Sequence, residues 1–283
     1  MFDCHAHLSD PSFGEGLDEA LAQAEAVGVI GIIAVSESLE DAVKVIDLCT
    51  RINGDTSRHG RLRIHPAIGM HPEKADLDAL DGVLRLIDEH ADTIVCVGEV
   101  GLDFSRHLIG EAGGERAERA KEVQREVFRR QARRAEELGL AVNVHSRSAG
   151  HHAISLLREE GITRAVLHAF DGKPKYAVEA AKAGYFFSVP PIICRSQGFQ
   201  ALVGAVPLES LLLETDSPAL APVKNTKNEP KNITIACDWI ATLKSVPVAE
   251  VRRVVGANAR RLFPRAFNPE EGRQPAERSL SGS

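Results

Sequence analysis

Aromatic side chains are scarce in these 283 residues, with one tryptophan, two tyrosines and ten phenylalanines. So few rings argue against a broad surface that holds nucleic acid mainly by stacking on bases. Long hydrophobic runs are absent: no stretch reaches eighteen apolar residues, which argues against a membrane span. The first residues lack a basic segment followed by an apolar core, so no secretory leader is expected. Positive charge is not in excess either. Lys and Arg number 34 against 40 Asp and Glu, a formal net charge of −6. That disfavours a protein that coats nucleic acid with a basic surface, but not one that grips phosphates locally through metal ions. Five cysteines, an odd number without CxxC spacing, fit an intracellular protein of nucleus or cytoplasm with free thiols. Nothing in the composition implies an obligate protein partner, and a monomer is the default expectation.

What is present is an alternation. Eight apolar runs, "MFDCHAHL", "VIGIIAVSES", "RLRIHPAIGMHP", "TIVCVGEVGLD", "LAVNVHSRS", "RAVLHAF", "YFFSVPP" and "LLLETDSP", are each followed by an amphipathic or Ala/Glu/Arg-rich segment. Strands alternating with helical patterns read as βα units of a parallel sheet covered on both faces. Eight units in this length predict an α/β fold of the (β/α)8 TIM-barrel type. The alternative is an open doubly wound sheet, but no GxGxxG loop follows the first strand. Residues 1–263 are expected to form one domain, and 264–283, polar with Pro and Gly throughout, a tail without order.

The longest helix is expected from Glu115 to Leu138, with Ala120, Val123, Val127, Ala135 and Leu138 on its apolar face and Gly139 ending it. Its arginines interleave with acids, as in Glu126 and Arg130 at i,i+4, and read as a solvated face rather than a nucleic-acid surface. "SRHLIGEAGGER" is a long loop placed to fold over a site. Trp239 reads as a core residue, and His151 and His152 as surface or capping residues at a helix start.

Where each strand turns polar is the informative feature. Asp3, His5 and His7 end the first run, His71 follows the third, Glu99 the fourth, and His145, Ser146 and Arg147 the fifth. His168 ends the sixth and Glu214, Thr215 and Asp216 the eighth. In a barrel these positions share the carboxyl-end rim, where active sites are built. Strand alternation puts His5 and His7 on one side and Cys4 and Ala6 on the other, which argues against Cys4 as a ligand. Four histidines and two carboxylates buried in one cavity cost several kcal/mol each unless they coordinate cations. Imidazole with carboxylate suits zinc, manganese or iron. His5, His7, Glu99, His145, His168 and Asp216 exceed what one catalytic ion with an open position needs. Two ions are therefore inferred, an arrangement suited to phosphodiester hydrolysis, with Glu99 as the bridge.

The motifs "DCHAHL", "GMHP", "GEVGLDF", "VHSR", "LHAFDG", "LETDSP" and "NEP", in order from residue 3 to about 230, resemble the TatD family of metal-dependent deoxyribonucleases, within the amidohydrolase-like barrels. "VNVHSRSAG", "LHAFDG" and "LETDSPAL" are similar to the third TatD-domain paralogue group of animals. The resemblance implies a DNA substrate, 3′-exonuclease activity and endonuclease activity at abasic or damaged sites. It implies two divalent ions (manganese, magnesium or zinc), one on His5, His7, Glu99 and Asp216, the other on Glu99, His145 and His168. The fourth strand has no lysine, in keeping with a Glu-bridged pair. Many members have Cys where Ser146 and Ala169 stand, positions expected to face away from the ions.

Asp216 is the candidate general base. Arg147 is a candidate phosphate clamp, with an ion pair to Asp103 or Glu214 as the competing reading. His71 is a candidate phosphate contact, and Lys224, Lys227 and Lys231 form a basic cluster that would steer a strand. Two other classes stay open: a metallohydrolase of a small amide, ester or phosphoester, and a non-catalytic metal-binding protein.

Overall fold

The eight apolar runs become eight short parallel strands, each hydrogen-bonded to the next in sequence. They are β1 (Phe2–Ala6), β2 (Gly31–Val35), β3 (Arg63–Ile68), β4 (Cys96–Gly101), β5 (Ala141–His145), β6 (Ala165–Leu167), β7 (Phe186–Val189) and β8 (Leu211–Leu213). The computed structural model describes residues 1–55, 60–110 and 114–268.

Between and after the strands lie α1 (Leu17–Ala26), α2 (Leu39–Gly54), α3 (Leu77–Glu89), α4 (Arg106–Ile109), α5 (Glu115–Glu137), α6 (Gly150–Glu159), α7 (Pro174–Lys182), α8 (Gln197–Ala205), α9 (Ile233–Lys244), α10 (Val248–Leu262) and α11 (Pro264–Phe267). Strand order and helix placement make this a (β/α)8 barrel. The β1–β8 seam is closed by Asp216 N–H donating to the His5 carbonyl at 2.9 Å and His7 N–H to the Ser217 carbonyl at 2.8 Å. The fully buried Asp3 carboxylate adds two bonds, accepting from Thr215 N–H at 3.0 Å and Thr215 Oγ1 at 2.6 Å.

Alternation along each strand divides the apolar residues into two cores. One lies between strands and helices and includes Ile32, Ile64, Val142, Leu167 and Phe187. The other fills the barrel with Phe2, Ile33, Val35, Ala67, Cys96 and Val166, stopped from below by Leu262 and Phe263 of the last helices. Above this floor the inward positions turn polar, and the site begins there.

Two bulges break the alternation, and both precede a residue of the site. β1 shifts register against β2 between Asp3 and Ala6, and β4 against β5 between Val97 and Val100. A bulge re-aims the side chain that follows it. Cys4, expected on the side opposite His5, therefore joins the barrel interior with Ile33 and Cys96, while Ala6 faces the helices. The β4 bulge turns Glu99 inward. It needs Gly98, because a Cβ there would stand 2.6 Å from Asn143 Cβ.

α5 covers β4 and matches the expected helix to within one residue. Its arginines form the expected solvated network with different partners: Glu126 pairs with Arg129 at 2.7 Å, and Arg130 reaches Asp81 at 2.6 Å. Trp239 packs against the outer core as expected. The chain stays ordered past Pro264: α11 brings the Phe267 ring 4.9 Å from that of Phe2. Residues 269–283 of the expected tail, and 111–113 of the expected loop over the site, lie outside the described residues.

Candidate metal centre

Glu99 stands at the centre of the rim, 1% exposed, with a different set of partners for each carboxylate oxygen. Oε2 faces His5 Nε2 at 3.5 Å and His7 Nε2 at 3.3 Å. Asp216 Oδ1 completes that group, 3.6 Å from His5 Nε2 and 3.3 Å from His7 Nε2. Oε1 faces His145 Nδ1 and His168 Nε2, both at 2.7 Å, and His71 Nε2 at 3.5 Å. The structure thus brings together all six expected ligands and His71.

The donors fit divalent cations. Ligand atoms about 2.1 Å from a tetrahedral ion stand about 3.4 Å apart, as the atoms around Oε2 do. His5, Glu99, His145, His168 and Asp216 are each no more than 8% exposed, so they meet as ionisable groups with little water to solvate them.

Two of the imidazoles are hydrogen-bonded from behind, and a third faces a carboxylate there. His5 Nδ1 donates to Asn143 Oδ1 at 2.9 Å, and the Asn143 amide donates to the Cys4 carbonyl at 2.8 Å. His145 Nε2 points to Asp103 Oδ2 at 3.3 Å, and His168 Nδ1 to Glu214 Oε2 at 3.7 Å. Such partners orient metal-binding histidines and raise their basicity. His71 differs: its Nδ1 accepts from Glu73 N–H at 3.1 Å, so the neutral ring presents Nε2–H to the cavity as a donor. Burial pushes His71 down to about 3, and the neighbouring His145, His7 and His168 charges add to this against the pull of Glu99.

Elsewhere charge pairing overcomes burial. Burial would raise the Glu99 carboxyl, yet the charges of His168 and His5 and the His145 hydrogen bond hold it well below its ordinary value. Burial likewise opposes ionisation of Asp216, and the His7 hydrogen bond and the charges of His5 and His7 lower it. His168 moves the other way, up to about 10, because Glu99 and Glu214 outweigh desolvation.

Sequence reasoning missed the residues that aim these groups. Two buried glutamines on the inner face of α5 each hold a rim loop through its backbone. Gln124 accepts from Asp103 N–H at 2.9 Å and donates to the Asp103 carbonyl at 3.0 Å. Gln131 does the same for Met70, at 2.7 and 3.2 Å, which sets the position of His71. Their spacing of seven residues on an apolar helix face was the available signal. Glu37, after β2, also brings a carboxylate to the group of His7 and Glu99, and burial raises its pKa.

The groups open into a cavity of about 420 Å³ lined also by Arg147, Asp103, Asp171 and Phe199. Arg147 is exposed, and among the described residues no ion pair holds it. Asp103 and Glu214, its alternative partners, are engaged with His145 and Ser188. Lys224 and Lys227 do not line the cavity. Lys227 instead donates to the Ser12 carbonyl and lies over the Phe13 ring, and Lys231 pairs with Glu229 at 2.7 Å. Cys4 stays out of the ligand groups, and burial pushes its thiol well up. No helix among the described residues is long and apolar enough to cross a membrane.

Comparison with known proteins identifies the family. The family described as TatD related DNase matches residues 2–264. The deoxyribonuclease TATDN3 of Homo sapiens is 46% identical over 268 residues, covering 94% of this chain and 95% of that one. The 3′-5′ ssDNA/RNA exonuclease TatD of Cronobacter sakazakii is 31% identical over 280 residues, covering 95% and 100%. A TatD-family hydrolase structure from Entamoeba histolytica superposes with a TM-score of 0.80 at 23% identity, covering 93% and 97%. The chain therefore belongs to the TatD family, as a metal-dependent hydrolase that acts on phosphodiester bonds.

Proposed function

We propose that this protein is a deoxyribonuclease that removes nucleotides from the 3′ end of DNA, with cleavage beside abasic sites as a second use of the same cavity. The observation that carries the proposal is the division of Glu99, whose oxygens face two separate groups of donors. Two divalent cations (manganese, magnesium or zinc), one on His5, His7, Glu99 and Asp216 and one on Glu99, His145 and His168, would supply Lewis acidity and a more acidic water.

The chain's own residues perform the remaining work. Asp216 stays ionised beside His7 and accepts the proton of the attacking water. The turn that presents it is left-handed, with φ of 54°, a conformation Asp tolerates. Arg147, which has no ion pair among the described residues, grips a non-bridging phosphate oxygen pair with its planar fork. His71 donates Nε2–H to the phosphate as charge builds on it. The names of the human and Cronobacter relatives support a DNA substrate and a 3′ to 5′ direction.

The test is product formation from 3′-labelled single-stranded DNA and from an abasic duplex, with manganese or magnesium and with EDTA. Metal-dependent nucleotide release that disappears in Glu99→Ala and Asp216→Ala is expected. No cleavage by the wild-type protein, beside turnover of a small ester or amide, would contradict the proposal.

A further inference from the structure

Four rings form a row along the rim beside the cavity. Phe104 directly follows Asp103, and its N–H donates to the Arg147 carbonyl at 3.0 Å. The His152 ring lies 5.3 Å from Phe104, His151 lies 3.9 Å from His152, and Tyr176 lies 5.5 Å from His151 at an interplanar angle of 26°. Tyr176 is one of only two tyrosines in the chain. His151 and His152 are exposed, and Phe104 and Tyr176 half-buried.

The two histidines do no capping work. α6 begins without a side-chain cap bond, and among the described residues neither ring makes a hydrogen bond or ion pair. Cations interleave with the row. Lys121 Nζ and the Arg125 guanidinium each lie 5.5 Å from the Phe104 ring, and Lys175 Nζ lies 4.9 Å from that of Tyr176. Lys121 and Arg125 keep pairs with Glu118 and Glu122, and such surface pairs are weak enough to yield to phosphate. The row is continuous with the catalytic cavity, since Asp171 lines both that cavity and the small cleft under His151 and Tyr176.

We propose that the row Phe104, His152, His151 and Tyr176 is the track on which a single strand of substrate lies, bases against rings and phosphates beside the interleaved cations. Stacking of successive bases on rings, with cations along the backbone, is how unpaired strands are held without sequence preference. The inference rests on the nuclease reading and adds where the strand runs.

The test is the affinity for a fluorescein-labelled single strand of about twelve nucleotides, read by anisotropy with EDTA present so that nothing is cut. Tyr176→Leu, Phe104→Leu and His151→Ala are each expected to raise Kd about ten-fold, while Tyr176→Phe, which keeps the ring, retains wild-type affinity. For a strand of the same length built of abasic residues the variants are expected to bind like wild type. Unchanged Kd in the three ring-deleting variants, or equal weakening for the abasic strand, would overturn the track. Cleavage is read separately with manganese: cutting by wild type together with unchanged Kd in the variants overturns the track alone, whereas absence of cutting overturns the nuclease reading.

Discussion

Asn143 holds His5 across the barrel: its side-chain oxygen lies 2.9 Å from His5 Nδ1, and its amide donates to the carbonyl of Cys4, the residue before that histidine. One fully buried side chain thereby fixes both the ring and the bulged backbone that presents it. Asn143→Ala is expected to weaken divalent-cation affinity by roughly 10–100-fold, the usual cost of losing a partner behind a metal-binding histidine. Stability should fall by about 1–3 kcal/mol from the carbonyl left unsatisfied. Calorimetric titration with manganese and urea unfolding read the two effects. Wild-type affinity in the variant would show that packing alone orients His5.

The glutamines of α5 give a second prediction. Gln131→Leu keeps the volume and the helix but removes both bonds to the Met70 backbone. Leaving that buried N–H and carbonyl unpaired should cost about 1–3 kcal/mol each. Because His71 follows directly, kcat should fall more than cation affinity does. A variant with wild-type kcat would separate His71 from the reaction.

Arg147 tests the phosphate contact. Arg147→Lys keeps the charge and loses the planar fork, so kcat/KM on DNA should drop about ten-fold or more. Cation stoichiometry should not change, since an always-protonated guanidinium offers no lone pair to a cation. Full activity in the lysine variant would reduce Arg147 to a diffuse electrostatic role.

The underside of the barrel supplies a pH dependence separate from the site. Burial, with Arg63 beside it, pushes His65 down to about 4 from an ordinary 6.5. Between those values the unfolded chain binds the proton and the folded chain does not, so stability falls as pH drops through that window. The loss reaches roughly 3 kcal/mol by pH 4. His65→Gln should flatten the urea-unfolding free energy over this range, and an unaltered slope would place the proton uptake elsewhere.

The barrel and the six central donors were legible in the chain because both follow from strand ends. An apolar run that turns polar at its carboxyl end is a local signal, and six of the eight runs carry it, which places His5, Glu99, His168 and Asp216 on one rim. Cys4 was misplaced because period-two alternation holds only for an unbroken ladder, and a bulge is set by what the neighbouring strand presents. Gln124, Gln131 and Asn143 were missed for a related reason. The glutamines grip the backbone of distant rim loops and Asn143 grips His5 and the Cys4 carbonyl across the barrel, and nothing local in the chain names those partners. Lys224 and Lys227 looked like a steering patch by proximity to the eighth strand, but neither lines the cavity, and Lys227 turns toward Ser12 and Phe13.

The most direct measurement is anomalous scattering from manganese in crystals of the wild-type protein. The account predicts two peaks flanking Glu99, one against His5, His7 and Asp216, the other against His145 and His168, and the loss of both in Glu99→Gln. A single peak in the wild type, or two peaks that survive in Glu99→Gln, would contradict it.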